Sequence, residues 1–202
     1  MKLDIALKRG AYIGKVNSLL QEFNSVSPNI LIKLINSFAA CVYGSNLWDI
    51  FSKESERLYT SYSVSMRHAL KLNLRTHRYL IEPLAETPHL KTMICSRYVS
   101  FFKSLSQCQK FPVRFLAKLQ EKDMNTVLGR SLGHLADLCG VPVSNLSTGI
   151  VKEKIKYKEI PEQEKWRLPI AKELMLTRSL ETEIRGFSSN EVEDMLSFIC
   201  SC

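Results

Sequence analysis

Helix-start signals recur along this chain between apolar residues placed at helical spacing. Ser27-Pro28 and Phe111-Pro112 each put a proline in the first turn of a predicted helix, where its missing N–H is not needed. Between such signals the apolar residues recur every three or four positions, as on one buried face of an α-helix. The first apolar stripe consists of Ile13, Val16, Leu19, Leu20 and Phe23. The pattern predicts an all-α protein, an irregular helical bundle of about seven to eight helices.

Helix boundaries are predicted from capping residues. Ser52 and Asn125 are predicted N-caps, and Gly140 is placed just after a helix end, where a left-handed residue is favoured. Thr87-Pro88 is a further helix start, and a short helical turn stops before Pro83. The predicted segments after the first stripe are 28–42, 53–72, 78–82, 88–107, 111–122, 126–139, 161–178 and 188–200.

The character of the sequence changes after Gly140. Four lysines between 152 and 158 alternate with other residues, many of them apolar, and this period of two favours a strand or an extended linker. We therefore predict a short extended segment near 150–160. The chain then divides into a basic helical module, residues 1–140, and a linker with a small acidic helical tail, residues 141–202.

The positive charge of the chain is concentrated in its first part. The formal net charge is +8, and residues 1–122 contain 18 Lys and Arg against 8 Asp and Glu. Residues 123–202 contain 10 Lys and Arg against 12 Asp and Glu. A basic surface of this kind is typical of proteins that bind nucleic acid or another polyanion. An ordinary basic protein surface is the alternative that charge alone leaves open.

Seven basic residues form the candidate nucleic-acid-binding set. They are Arg67, Lys71, Arg75, His77, Arg78, Lys91 and Arg97. Arg67 and Lys71 are four residues apart and therefore share one face of a predicted helix. Such cations would contact phosphates without reading bases, so binding would be independent of sequence. A solvated helix face is the alternative interpretation.

Four aromatic residues also have two interpretations. They are Tyr43, Trp48, Tyr59 and Tyr79. Each presents an aromatic face on which a base could stack. For Tyr43 and Trp48 we favour a place in the core, at a helix–helix corner where Gly44 turns the chain. Gly14, Tyr43, Gly44 and Trp48 are accordingly predicted to be structural anchors.

The sequence contains no recognisable catalytic or metal site. There is no glycine-rich phosphate loop and no adjacent pair of aspartates, whereas two-metal nucleotide transfer needs carboxylates that converge on ions about 4 Å apart. Cys200 and Cys202 form a C-x-C pair without a second pair or a histidine at ligand spacing. We predict no catalytic residue, no metal and no cofactor, in a protein that is not an enzyme.

The cysteines and the N-terminus bear on the cellular compartment. The six cysteines are scattered, and no apolar leader segment precedes them. This favours reduced thiols in an intracellular protein, cytoplasmic or nuclear and not secreted. No window approaches about 18 consecutive apolar residues, so no membrane partner is expected.

Three segments occur in an order that resembles a known family. They are Gly14-Lys15-Val16-Asn17-Ser18-Leu19-Leu20, Tyr43-Gly44-Ser45-Asn46-Leu47-Trp48-Asp49 and Thr76-His77-Arg78-Tyr79-Leu80-Ile81-Glu82-Pro83-Leu84. In that order they resemble the region after the catalytic palm in reverse transcriptases of non-LTR (LINE-type) retrotransposons. Similar segments at 97–101, at 129–132 and at intervals between 166 and 200 extend the resemblance over nearly the whole chain. The family holds its metal ions with a Tyr/Phe-x-Asp-Asp turn, and this chain has no Asp-Asp pair.

The resemblance implies a thumb and post-thumb region that is truncated before the palm. By that analogy the predicted helices 27–42 and 52–72 would flank an RNA or RNA–DNA duplex. The palm domain of a full-length parent enzyme would be the other partner, and no small-molecule substrate is expected. The chain would then be a non-catalytic fragment of an RNA-directed DNA polymerase, with Met1 as an internal start.

A second interpretation is a helical protein–protein interaction module without a nucleic-acid role. Another protein would then cover the apolar surface that a palm would otherwise bury. The two interpretations differ in salt dependence, because nucleic-acid binding weakens steeply with salt whereas association through an apolar patch tolerates it.

Overall fold

The computed structural model of the protein describes residues 2–40 and 42–155. Over these residues the chain is all-α, as predicted, and has no strand. The helices are α1 (Lys2–Glu22), α2 (Pro28–Leu34), α3 (Lys53–Ala69), α4 (Arg78–Ala85), α5 (Leu90–Ser106), α6 (Phe111–Lys122), α7 (Val127–Cys139) and α8 (Thr148–Ile155). A π-helical turn (Ile35–Ala39) follows α2, and 3₁₀ turns occur at Ser45–Leu47 and Val143–Asn145. The helices predicted at 161–178 and 188–200 lie outside the described residues.

Capping residues set several helix ends where the sequence predicts them. The Ser52 hydroxyl accepts the Ser55 N–H at 3.3 Å and so caps α3. The predicted bounds of α6, residues 111 and 122, are both confirmed. Gly140 follows α7 with φ +65°, the left-handed conformation expected there. The N-cap of α7 is Thr126, one residue later than predicted, and its hydroxyl accepts the Gly129 N–H at 3.0 Å.

Two predicted boundaries around α4 and α5 are wrong. The helix after Thr87-Pro88 begins only at Leu90, because the Nδ1 atom of His89 accepts the Lys91 N–H at 3.2 Å and caps it. The turn predicted at 78–82 continues through Pro83 to Ala85. Proline removes one backbone hydrogen bond there, but the added turn buries Leu84 and Ala85.

The extended segment predicted near 150–160 is wrong over residues 148–155. These residues form α8, which the Ser147 hydroxyl caps by accepting the Ile150 N–H at 3.2 Å. Val151 is buried while Lys152 and Lys154 are exposed, so the side chains follow a helical and not a two-residue period. The proposed boundary near residue 140 stays a prediction, although α8 packs against α5 and α7.

The described residues fall into two compact units. The first unit comprises residues 2–9, 42–60 and 88–155, and the second comprises residues 10–40 and 61–87. Within these described ranges no helix combines the length and apolar character needed to cross a membrane.

The first unit is built around α5. This helix buries eight of its residues: Leu90, Thr92, Ile94, Cys95, Ser96, Tyr98, Val99 and Phe102. It packs against α6, α8 and the 3₁₀ turn Ser45–Leu47. Burial raises the pKa of the Cys95 thiol and of the Tyr98 hydroxyl to about 12 each. Both groups are therefore neutral at physiological pH and act as packing residues.

Trp48 anchors the first unit, as predicted, but Tyr43 does not. The Trp48 ring is buried, and its indole N–H donates to the Asp4 carboxylate at 2.8 Å. Tyr43 is 84% exposed, so its prediction as a core anchor is wrong. Val42 is buried on one side of it, and Gly44 turns the backbone with φ +81°, which leaves the Tyr43 side chain outside.

Two tyrosines and an asparagine organise the second unit. The Tyr12 and Tyr62 rings lie 6.3 Å apart, and the Tyr62 hydroxyl donates to Asn36 Oδ1 at 2.9 Å. The Asn36 amide in turn donates to the Thr87 hydroxyl at 3.3 Å. The buried side of α1 carries Tyr12 and Val16 in this unit, whereas Ile13 from the predicted stripe is exposed.

Gly14 and Gly44 are both predicted anchors, but only one of them has a backbone conformation that needs glycine. A side chain added at Gly14 or at Gly44 would meet nothing within 4 Å. Gly14 lies in the middle of α1 and has no left-handed φ, whereas Gly44 does. The structure therefore gives Gly44 a conformational role and gives Gly14 none.

We expect Gly44→Ala to lower the free energy of unfolding by about 1–2 kcal/mol, because alanine is strained at positive φ. Gly14→Ala should raise it by up to about 1 kcal/mol, because alanine favours a helix interior. Denaturant unfolding of both variants measures the two changes in the free energy of unfolding. Equal effects of the two substitutions would contradict the difference between these glycines.

Candidate nucleic-acid interface

Five of the seven predicted nucleic-acid-binding residues lie in the second unit. Arg67, Lys71, Arg75, His77 and Arg78 follow one another from the last turn of α3 to the first turn of α4. We call these five residues the 67–78 cluster. The other two, Lys91 and Arg97, belong to the first unit. The predicted set is thus divided between the units.

Lys71 ends α3 in a conformation that normally selects glycine. Its φ is +54°, and its N–H donates to the His68 carbonyl at 3.0 Å. The N–H of Leu72 donates to the Arg67 carbonyl at 2.8 Å. These two bonds define a Schellman cap with Lys71 at the left-handed position. A lysine at this position places its exposed side chain at the end of the helix.

The segment after α3 is held by side-chain hydrogen bonds. Asn73 accepts the Arg75 N–H on its side-chain oxygen at 2.8 Å, and the Thr76 N–H donates to the Asn73 carbonyl at 3.0 Å. The Nε–H of Arg67 donates to the Thr76 carbonyl at 3.0 Å and ties the turn back to α3. Arg67 is therefore a structural residue as well as a cation.

The cluster brings cations close to one another at the start of α4. Burial lowers the pKa of Arg67 from its ordinary value, and the neighbouring Arg78 charge lowers it further. His77 precedes α4, and its ring stacks on that of Tyr79 with centroids 5.1 Å apart. The first turn of α4 contains no acidic residue. A phosphate near this helix start would meet the positive end of the helix.

Lys91 is engaged within the first unit. Its ammonium lies 2.5 Å from the Glu56 carboxylate and 5.6 Å from the ring centroids of Phe51 and Tyr59. The Lys91 side chain is 22% exposed. Nucleic-acid contact by Lys91 would compete with this ion pair.

Arg97 is exposed on α5 and lines an open groove of about 560 Å³. Lys152 of α8 and several hydroxyl-bearing side chains line the same groove. Unlike Lys91, Arg97 has neither a salt bridge nor a hydrogen bond within the described part of the chain.

The outward face of α6 (Phe111–Lys122) is not among the predicted sites. Ala117 is the one buried residue of this helix, and Phe111 is 65% exposed. Four exposed cations occupy every fourth position: Lys110, Arg114, Lys118 and Lys122. Four exposed apolar residues lie beside them: Phe111, Phe115, Leu116 and Leu119. The four-residue spacing of the cations is visible in the sequence and predicts this face.

The predicted stacking residues have different environments. Tyr59 is buried, and its hydroxyl donates to the Ile50 carbonyl at 2.9 Å. Tyr79 is partly exposed against His77, and Tyr43 is exposed. Tyr43 and Tyr79 can therefore offer a ring face to a base, whereas Trp48 and Tyr59 are packing residues.

The described residues offer no ready metal or disulfide chemistry. Cys95 and Cys139 are buried and Cys108 is half-buried, each as a free thiol. Within residues 2–40 and 42–155 no group of three or more His, Cys, Asp or Glu side chains is placed to hold a metal ion. The C-x-C pair at the end of the chain lies outside these residues.

Comparison with known proteins identifies no relative. No protein-family model matches this chain, and no curated protein or solved structure matches it either.

We expect Lys91→Gln to lower the free energy of unfolding by about 1 kcal/mol, through loss of the Glu56 pair and of the two ring contacts. Lys103→Gln, an exposed change on the same helix, should stay within about 0.5 kcal/mol of the parent protein. Thermal or denaturant unfolding measures both variants. If Lys91→Gln leaves stability unchanged, the Lys91 ammonium is available for another role.

Proposed function

We propose that this chain is a non-catalytic helical module that binds RNA or an RNA–DNA duplex without regard to sequence. The 67–78 cluster is the single observation that carries the proposal. It combines exposed cations, a helix start without acidic residues and a turn that hydrogen bonds hold in place. Phosphate contacts from such a site position a nucleic-acid backbone and carry no base information.

The left-handed backbone conformation of Lys71, which belongs to the same cluster, also supports the proposal. A lysine at a left-handed position costs about 1 kcal/mol relative to a relaxed backbone, and glycine would avoid that strain. Strained residues concentrate at functional sites. A lysine at this position therefore supplies something that glycine cannot, and a positive charge for phosphate binding fits that requirement.

The resemblance to the thumb and post-thumb region of non-LTR retrotransposon reverse transcriptases agrees with this proposal. The landmark segment 76–84 includes His77 and Arg78 of the cluster and most of α4. On this view the chain is a fragment of an RNA-directed DNA polymerase without the palm, and the palm of a parent enzyme would be its second partner. Catalysis is not part of the proposed function.

Lys71→Gly with Arg75→Gln tests the cluster without disturbing the fold. The double variant should bind an RNA duplex more weakly, and the slope of log affinity against log salt should fall by about 2, one for each lost phosphate contact. The free energy of unfolding should change by no more than about 1 kcal/mol, because the strain that Lys71→Gly relieves offsets the lost interactions of the lysine side chain. Fluorescence anisotropy over a salt series measures the slope.

Two control variants match this experiment. Among the described residues Glu86 is the other non-glycine residue with positive φ, at 52°, so Glu86→Gly relieves a similar strain without removing a cation. Lys110→Gln with Lys118→Gln removes the same charge from α6. Neither control should weaken binding as the cluster variant does. Equal losses in the cluster variant and the α6 variant would show that net charge, and not the cluster, governs binding.

The outward face of α6 favours a second candidate function, interaction with another protein. Its apolar residues are exposed, and the neighbouring row of cations suits a partner helix with an apolar stripe flanked by Asp and Glu. A three-turn helix face of this kind would form a small, weak interface.

Phe115→Ser with Leu119→Ser tests this second candidate. The parent chain should bind a designed helical peptide with a leucine stripe between rows of glutamate, and the variant should lose at least tenfold in affinity. Titration of labelled peptide at high salt measures the apolar contribution. Binding that survives the double substitution, or that a scrambled peptide reproduces, would exclude α6 as a docking face.

A further inference from the structure

The connection between α1 and α2 presents a serine directly before a proline. α1 ends at Glu22 and Pro28 is the first residue of α2, so Ser27 is the last residue of the connecting loop. Ser27 is exposed and has φ −57° and ψ 143°, close to the polyproline II conformation. The ring of Pro28 disfavours a helical conformation at the residue before it and so keeps Ser27 extended.

The fold does not use the hydroxyl of Ser27. A serine that precedes a helix commonly accepts an N–H of the first turn on its side chain. At the start of α2, which lies wholly within the described residues, no such hydrogen bond forms. The Ser27 carbonyl instead accepts the N–H groups of Ile30 and Leu31, each at 3.1 Å. The hydroxyl is therefore available to an enzyme that reacts with it.

A second hydroxyl-bearing residue before a proline, Thr87, has a different environment. Thr87 is half-buried, and its hydroxyl accepts the Nδ2–H of Asn36 at 3.3 Å. Asn36 also accepts the hydroxyl of Tyr62, so Thr87 belongs to the hydrogen-bond network that organises the second unit. Ser27 and Thr87 thus have the same sequence signal, but only Ser27 is both exposed and extended.

Exposure, backbone conformation and the following proline together match the requirements of one class of enzyme. A protein kinase binds the target residue in an extended conformation with its hydroxyl at the γ-phosphate of ATP. A proline-directed kinase selects proline at the next position, where proline has no N–H to leave unpaired. Asn29 and Ile30 are exposed, so the first turn of α2 can adapt to the enzyme without uncovering a buried side chain.

We propose that Ser27 is a phosphorylation site for a proline-directed serine/threonine kinase. The Ser27 oxygen forms a bond to the γ-phosphorus of ATP while the bond from that phosphorus to the oxygen of the leaving ADP breaks. The hydroxyl proton passes to the catalytic aspartate of the kinase. The product carries a charge of about −2 at Ser27. The site consists of residues outside the 67–78 cluster and does not depend on the function proposed for that cluster.

Incubation of the full chain with a mitogen-activated protein kinase, Mg²⁺ and ATP tests the proposal. Tandem mass spectrometry locates each phosphate and follows its rate of incorporation. Ser25 is exposed in the same loop but precedes Val26, so it controls for exposure, whereas Thr87 controls for the sequence signal. Ser27 should be modified about tenfold faster than either control residue, or more. Absence of phosphate on Ser27, or an equal rate at Ser27 and at either control residue, overturns the proposal.

Two variants of the full chain separate the hydroxyl from the proline. Ser27→Ala should abolish modification of the loop and leave Tm unchanged, because the hydroxyl makes no capping hydrogen bond. Pro28→Ala keeps the hydroxyl and should slow phosphorylation of Ser27 by about tenfold or more, because the residue that the kinase selects is lost. An unchanged rate in Pro28→Ala, or undiminished modification of the loop in Ser27→Ala, would contradict the assignment.

Discussion

The close packing of α5 on most of its sides is the constraint on which the first unit depends. Helices α6 and α8 and the turn Ser45–Leu47 all pack against it. A helix covered in this way must carry apolar residues or small hydroxyls nearly all round, because a buried charge without a partner is too costly. Its three charged residues are therefore informative. Lys91 is paired with Glu56, Lys103 is exposed, and Arg97 is exposed beside a groove.

In the second unit the polar interactions define a helix end. α3 has to stop so that the chain can turn into α4, and a Schellman cap with lysine at the left-handed position achieves this. The hydrogen bond from Arg67 to the Thr76 carbonyl then fixes the turn. The groups that end the helix are the same groups that concentrate positive charge, so folding of this segment also assembles the candidate site.

Local signals in the sequence predict much of this fold. The bounds of α6 and the left-handed Gly140 follow from a proline at a helix start and a glycine at a helix end. The failures are tertiary in origin. The alternating lysines near 152 resemble a strand, but Ser147 caps a helix whose Val151 is buried by its neighbours. The exposure of Tyr43 depends on the direction in which Gly44 turns the chain. The groove joins residues about fifty positions apart, so sequence spacing alone could not predict it.

The row of cations and the row of apolar residues on the outward face of α6 have a practical consequence for handling the protein. At low ionic strength the four cations repel the same face of another molecule and so separate the exposed phenylalanine and leucine side chains. Concentrated salt removes nucleic acid from a basic protein, but it also screens that repulsion and strengthens apolar association. A purification that strips bound nucleic acid with salt would therefore bring α6 faces together, and a sample free of nucleic acid need not be monodisperse.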